Sequence, residues 1–96
     1  MDFESAIHNR QLISFAYDGL PRIVQPATFG HTTTGKLSLR ACQIDGSSRR
    51  NTPPCWELYS VSKIVNPVLH GTMFSNFAQP GYTRLDSAFT AIIAEH

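Results

Sequence analysis

Six basic residues lie between positions 22 and 63 (Arg22, Lys36, Arg40, Arg49, Arg50 and Lys63) against two acids, Asp45 and Glu57, in a chain whose formal net charge is only +1. That segment is therefore the cationic part of the molecule and suits an anionic partner, phosphate or nucleic acid above all. Arg22 and Arg40 fall on strands expected to be neighbours. Two guanidinium groups on one face would offer forked donors that match phosphate oxygens, a stronger contact than a neutral hydrogen bond. Tyr17 adds a ring for stacking or a phenolic donor, and Trp56 is either a platform for a nucleobase or a core residue. Arg49 and Arg50, adjacent in a polar loop, read as phosphate clamps or as a solvated fringe, with Gln43 a polar neighbour of the site.

Catalysis and metal binding have no comparable pattern. The four histidines (His8, His31, His70, His96) stand in different segments, without the His-x-x-His or His-Glu-x-x-His spacing of a zinc site. Ser14, Ser38, Ser47 and Ser48 lack a Gly-x-Ser-x-Gly elbow. His31 beside Asp45 or Glu57 is the one conceivable acid–base pair, and the expectation is a non-enzymatic protein without cofactor. Cys42 and Cys55 do not form a Cys-x-x-Cys motif; they read as a small buried hydrophobe and a loop or strand-edge residue. Their thiols would approach one another if the two segments pair, and would stay reduced in a cytosolic setting.

The elements that must position these groups are mostly strands. Ile13 to Tyr17, Arg22 to Pro26, Leu37 to Ala41 and Trp56 to Ile64 each alternate apolar and polar residues, the mark of a strand with one buried face. Strands are expected at about 12–18, 22–29, 36–45 and 55–63, followed by a short strand or turn around Ile64 to Leu69 broken by Asn66-Pro67. Asp18-Gly19 supplies the first turn, and Pro26, which cannot donate to a ladder, marks an edge or a bulge. In the fourth strand Trp56 and Leu58 share one face and Glu57 and Tyr59 the other, and both faces carry apolar groups.

Helices are expected at the two ends. Phe3, Ala6, Ile7 and Arg10 have helical spacing within residues 2–10, with acids in the first turn and Arg10 in the last. Leu85, Ala88, Phe89, Ile92 and Ile93 form a 3.6-residue stripe, which predicts a C-terminal helix over about 84–95, docked on this sheet or on a second copy. The fold class is thus mainly β (α+β): one domain over 1–96, a small β-barrel or open sheet over about 12–70, and a helix at each end. No apolar run reaches the roughly 20 residues that span a membrane. The first residues lack the basic and apolar regions of a signal peptide, so the cytoplasm is the expected location.

The order of these motifs resembles the WYL domain, a bacterial ligand-sensing module with an SH3-like or Sm-like barrel. Ile13-Ser14-Phe15-Ala16-Tyr17 matches the family's Ile-x-Phe-x-Tyr strand, and Arg22-Ile23-Val24-Gln25-Pro26 its Arg-x-Val-x-Pro segment. Trp56 to Ile64 corresponds to the family's Arg-x-Phe-x-Leu-x-Arg-Ile strand, whereas Leu37-Ser38-Leu39 replaces the Trp-Tyr-Leu signature. The resemblance covers roughly residues 5 to 70. It implies an anionic effector such as a nucleotide, an oligonucleotide or single-stranded nucleic acid, held by Tyr17, Arg22, Arg40 and Lys63, with His31 added by position. It also implies a role in bacterial defence or stress regulation. With no helix-turn-helix in the chain, output would pass through a partner protein. The alternative is an assembly domain, a dimerising barrel that has lost its ligand, which the missing signature and the tail aromatics Phe74, Phe77 and Tyr82 favour.

Overall fold

The computed structural model describes residues 1–48 and 51–96. Asp2 caps helix α1 (Phe3–His8), its carboxylate accepting from the Ser5 N–H at 3.0 Å, and Phe3, Ala6 and Ile7 form its buried face. Arg10, at φ 54°, ends the helical stretch and turns the chain into β1 (Gln11–Tyr17). β2 (Leu20–Thr32), β3 (Leu37–Gly46), β4 (Cys55–Ser60), a 3₁₀ turn (Val61–Lys63), β5 (Val65–Met73) and β6 (Phe89–Glu95) follow. All pairings are antiparallel, and the strand order is β4-β3-β2-β1-β5, with β6 also on β2. The mainly-β reading and the short N-terminal helix hold. No described helix is long and apolar enough to cross a membrane.

The thirteen-residue β2 organises the sheet. Its first half pairs with β1 (Ile13 opposite Val24) and its second half with β6 (Phe29 opposite Ala94), while β3 runs along the other edge. A register shift against β3 between Pro26 and Thr28 bends the strand where Pro26 lacks an N–H. One face buries Ile13, Phe15, Val24, Leu39, Ala41 and Tyr59. Removing each large apolar side chain from water contributes about 1.5–3 kcal/mol. The orientation of β4 is thereby decided, with Tyr59 inside and Leu58 exposed. Helix α1 packs over the Phe29 half of β2, Phe3 meeting Phe29 at 5.5 Å.

The expected C-terminal helix is a strand. Beyond the bulge, the β1-side edge of β2 is free, and its backbone groups need partners that a helix would not supply. β6 supplies them, and the flanking bonds Thr33 N–H to Ala88 O (3.1 Å) and His96 N–H to Ala27 O (2.8 Å) extend the pairing. The stripe that suggested a helix is not buried as one: Phe89 and Ala94 are covered, while Leu85 and Ile93 face solvent. Thr90, Ile92 and Ile93, branched at Cβ, suit the extended form. Gly30 makes the approach possible, because a Cβ there would overlap the Ala91 carbonyl.

Segment 74–88 crosses the outer face of the sheet. Gln25 holds it at both ends of its amide, Nε2 donating to Asn76 O (3.0 Å) and Oε1 accepting from Ala78 N–H (2.8 Å). Phe74, Phe77, Tyr82, His96 and Trp56 then form a second aromatic cluster, with Phe77 4.9 Å from Trp56 and 4.7 Å from His96. The tail aromatics thus find cover within the chain. Cys42 and Cys55 stand on paired strands but opposite successive residues, Trp56 and Gln43, so their thiols leave opposite faces; both are free and buried.

Candidate functional site

Arg22 points into the core from the buried face of the sheet. It stands opposite Phe15 on β1 and Gly46 on β3, on the buried face, and is 2% exposed. Nη1 donates to Glu57 Oε2 (3.1 Å) and Gln43 Oε1 (3.2 Å), and Nη2 to the Tyr17 carbonyl (3.3 Å). The guanidinium carbon sits 5.6 Å from the Tyr17 ring centre and 5.9 Å from that of Tyr59, within cation–π range. Its Nε has no partner among the described residues.

A network closes around this group. Tyr59 Oη donates to Gln43 Oε1 (3.3 Å), Gln43 Nε2 donates to the carbonyls of Asp45 and Ser47 (3.1 Å each), and Ser48 Oγ donates to Glu57 Oε1 (2.7 Å). Tyr17 Oη accepts from the Ser60 N–H at 3.0 Å. Burial, then the charge of Glu57, pushes the Tyr59 phenol far above its ordinary value. Gly46, at φ 91°, lets the loop turn against β2, since a Cβ would overlap the Pro21 carbonyl. A buried charge held in this way fixes the shape of the groove floor.

Arg40 leaves β3 by the opposite face, next to Leu58 on β4. Its Nε donates to Asp86 Oδ2 at 2.8 Å, and its terminal nitrogens have no partner among the described residues. Burial raises the Asp86 carboxyl, but the Arg40 hydrogen bond, the Ala88 N–H at 2.9 Å and the Arg40 charge outweigh it and leave the group below its ordinary range. Trp56 stands beside this pair, its Nε1–H shared by the carbonyls of Gln79 (3.1 Å) and Pro80 (3.0 Å), with Tyr82 nearly parallel at 6.4 Å.

The two arginines thus leave opposite faces, which corrects the expectation of a one-face pair. They nevertheless meet in one groove. A cavity of about 480 Å³ is lined by Tyr17, Arg22, Arg40, Trp56 and Lys63 together with Glu57. A second, of about 290 Å³, continues from Arg40 and Trp56 to Tyr82 and Asp86. Gln43 lies behind the floor, bonded to Arg22. His31 is exposed at the far half of β2, opposite Leu37 and Ala91, and does not line the groove. Arg49 and Arg50 lie outside the described residues, although Ser48 and Asn51 on either side line the groove.

Glu57, Asp86 and Tyr82 are members that the sequence does not assign to the ligand site: it offers Glu57 only as an acid beside His31 and Tyr82 only as a tail aromatic, and Asp86 falls within the stripe that predicts a helix. With Glu57 on Arg22 and Asp86 on Arg40, the field of the basic segment is partly neutralised within the fold. Among the described residues no group of three or more His, Cys, Asp or Glu side chains is placed to hold a metal. Compared with protein-family models, with curated proteins and with solved structures, the chain matches none.

Proposed function

We propose that this chain is a WYL-like sensing module of the SH3-like or Sm-like barrel type, which binds a nucleotide or a short single-stranded nucleic acid in the groove beside β4 that Tyr17, Arg40, Trp56 and Lys63 line. The observation that carries it is the convergence of Tyr17, Arg40, Trp56 and Lys63 on one groove of about 480 Å³. The ring faces of Trp56 and Tyr17 offer stacking, and Lys63 and the outer nitrogens of Arg40 offer donors for phosphate oxygens. Arg22 contributes from below, by fixing the Tyr17 backbone and the groove floor. The barrel type is supported by the order β4-β3-β2-β1-β5 and the 3₁₀ turn between β4 and β5. An occupied groove would pull on segment 80–88 through Trp56 and Asp86, a route by which binding reaches a partner protein.

The test is a titration with labelled single-stranded DNA, RNA and mononucleotides at low and physiological salt. Wild type is expected to bind, with log K falling by about 0.7 per phosphate contacted for each tenfold rise in salt. Arg40→Ala with Lys63→Ala should abolish binding and leave the fold intact. Binding that ignores salt, or that survives this double variant, would exclude the proposal.

A further inference from the structure

We propose that β5 is the edge through which two copies of this chain pair, antiparallel and about a two-fold axis. β5 is hydrogen-bonded along one side only, to β1, and ends the sheet. None of its nine residues is buried. Val68 and Leu69 are consecutive and therefore point to opposite faces, yet they are 55% and 45% exposed, so neither face of the strand is covered. Val65 (51%) and Met73 (65%) complete the patch. Four of the eight exposed large hydrophobic side chains thus fall on one strand.

The chemistry of the edge says what fits it. Unpaired N–H and C=O groups along a free edge are satisfied by another extended strand, which a loop or helix packed by its side chains would not provide. Sheet edges that face solvent are protected by charge, proline or bulges; between Val65 and Met73 there is no Asp, Glu, Lys or Arg, and the interruptions are Pro67, Asn66 at φ 51° and the two register shifts against β1, which leave Val68 and Leu69 in regular register. The other terminal strand, β4, is shorter and carries Glu57.

An uncharged edge is complementary to its own copy, because no like charges meet. With the axis at Leu69, Val65 of one copy faces Met73 of the other, and Lys63 lies beyond Met73, opposite Ser75 and away from the second Lys63. The contact is isologous and closes at two chains. The groove of about 480 Å³ is lined by Tyr17, Arg40, Trp56 and Lys63 and by no residue of β5, so this inference does not depend on the ligand.

Light scattering across a concentration series tests it, together with concentration-dependent hydrogen exchange. The expected result is twice the chain mass of 10.7 kDa, with β5 amides gaining protection as the dimer forms. Val68→Lys with Leu69→Lys should shift the mass to one chain with unchanged circular dichroism. Leu85→Lys, at a position 77% exposed elsewhere, should leave the dimer intact. A single-chain mass at all concentrations would overturn the proposal, and so would a dimer that survives the double lysine variant or whose β5 amides exchange as in the monomer.

Discussion

Arg22 and Arg40 are the same residue type on adjacent strands, and the fold uses them in opposite ways. Arg22 is sealed on the buried face of the sheet, with one carboxylate, one amide, one backbone carbonyl and two aromatic rings around it. Arg40 is 28% exposed, holds Asp86 through Nε alone and turns its remaining donors to a cavity. A guanidinium with its hydrogen-bonding capacity turned inward organises structure, whereas one held at a single point keeps donors for something outside. The sign of the charge is shared; the number of internal partners separates the roles.

The largest expected effect breaks this contrast at its root. Arg22→Ala leaves Glu57 and Gln43 without their partner, at a cost of about 3–5 kcal/mol in denaturant unfolding. Arg40→Ala should cost only about 1 kcal/mol, the scale of a partly exposed ion pair, while removing ligand binding. Equal losses of stability would erase the distinction.

Tyr59→Phe sharpens the inner half. It should cost about 1 kcal/mol at neutral pH through the lost bond to Gln43. The phenol is held protonated in the fold, above its ordinary value of 10.0, so the unfolded chain releases a proton that the folded chain keeps. Stability therefore falls as pH rises past that value, by about 1.4 kcal/mol per unit. The phenylalanine variant should lose stability less steeply in an alkaline unfolding series; an unchanged slope would mean that Tyr59 is not sealed.

On the outer side, Asp86→Asn should weaken the fold by no more than about 1 kcal/mol and tighten anion binding, because Arg40 loses its counter-charge. The Asp86 carboxyl is lowered from 3.8, so its stabilising contribution is complete above that value and fades as pH falls through the lowered one. Wild type and variant should converge in acid unfolding. The smallest effect belongs to His96, stacked on Phe74 at 5.8 Å and edge-on to Phe77. Burial, then the charge of Arg10, lowers it from 6.5, so stability should decline slightly as pH falls below that value. His96→Gln should remove the decline.

Alternation alone placed β1 to β4, because a strand with one wet face repeats every two residues wherever it lies. The helix read over 84–95 failed for the complementary reason. Leu85, Ala88, Phe89, Ile92 and Ile93 satisfy the helical period locally, but the choice was made by the free edge of β2, some sixty residues earlier. In the same way the sequence offered Tyr17, Arg22, His31, Arg40 and Lys63 as one set, with Trp56 a further candidate, and all of these but His31 line one groove. It could not tell that Arg22 would be inside.

By itself, then, the sequence determined the segments of β1 to β4, an edge or bulge at Pro26, the N-terminal helix and the roster of side chains able to bind an anion, since each is written in residue type and short-range spacing. The tertiary structure alone decided which face of β4 is buried, that the C-terminal segment is a strand, and which arginine is held internally. Those outcomes depend on partners brought together from 35 to some sixty residues apart, Glu57 for Arg22 and β6 for β2, and no local pattern encodes a partner's arrival.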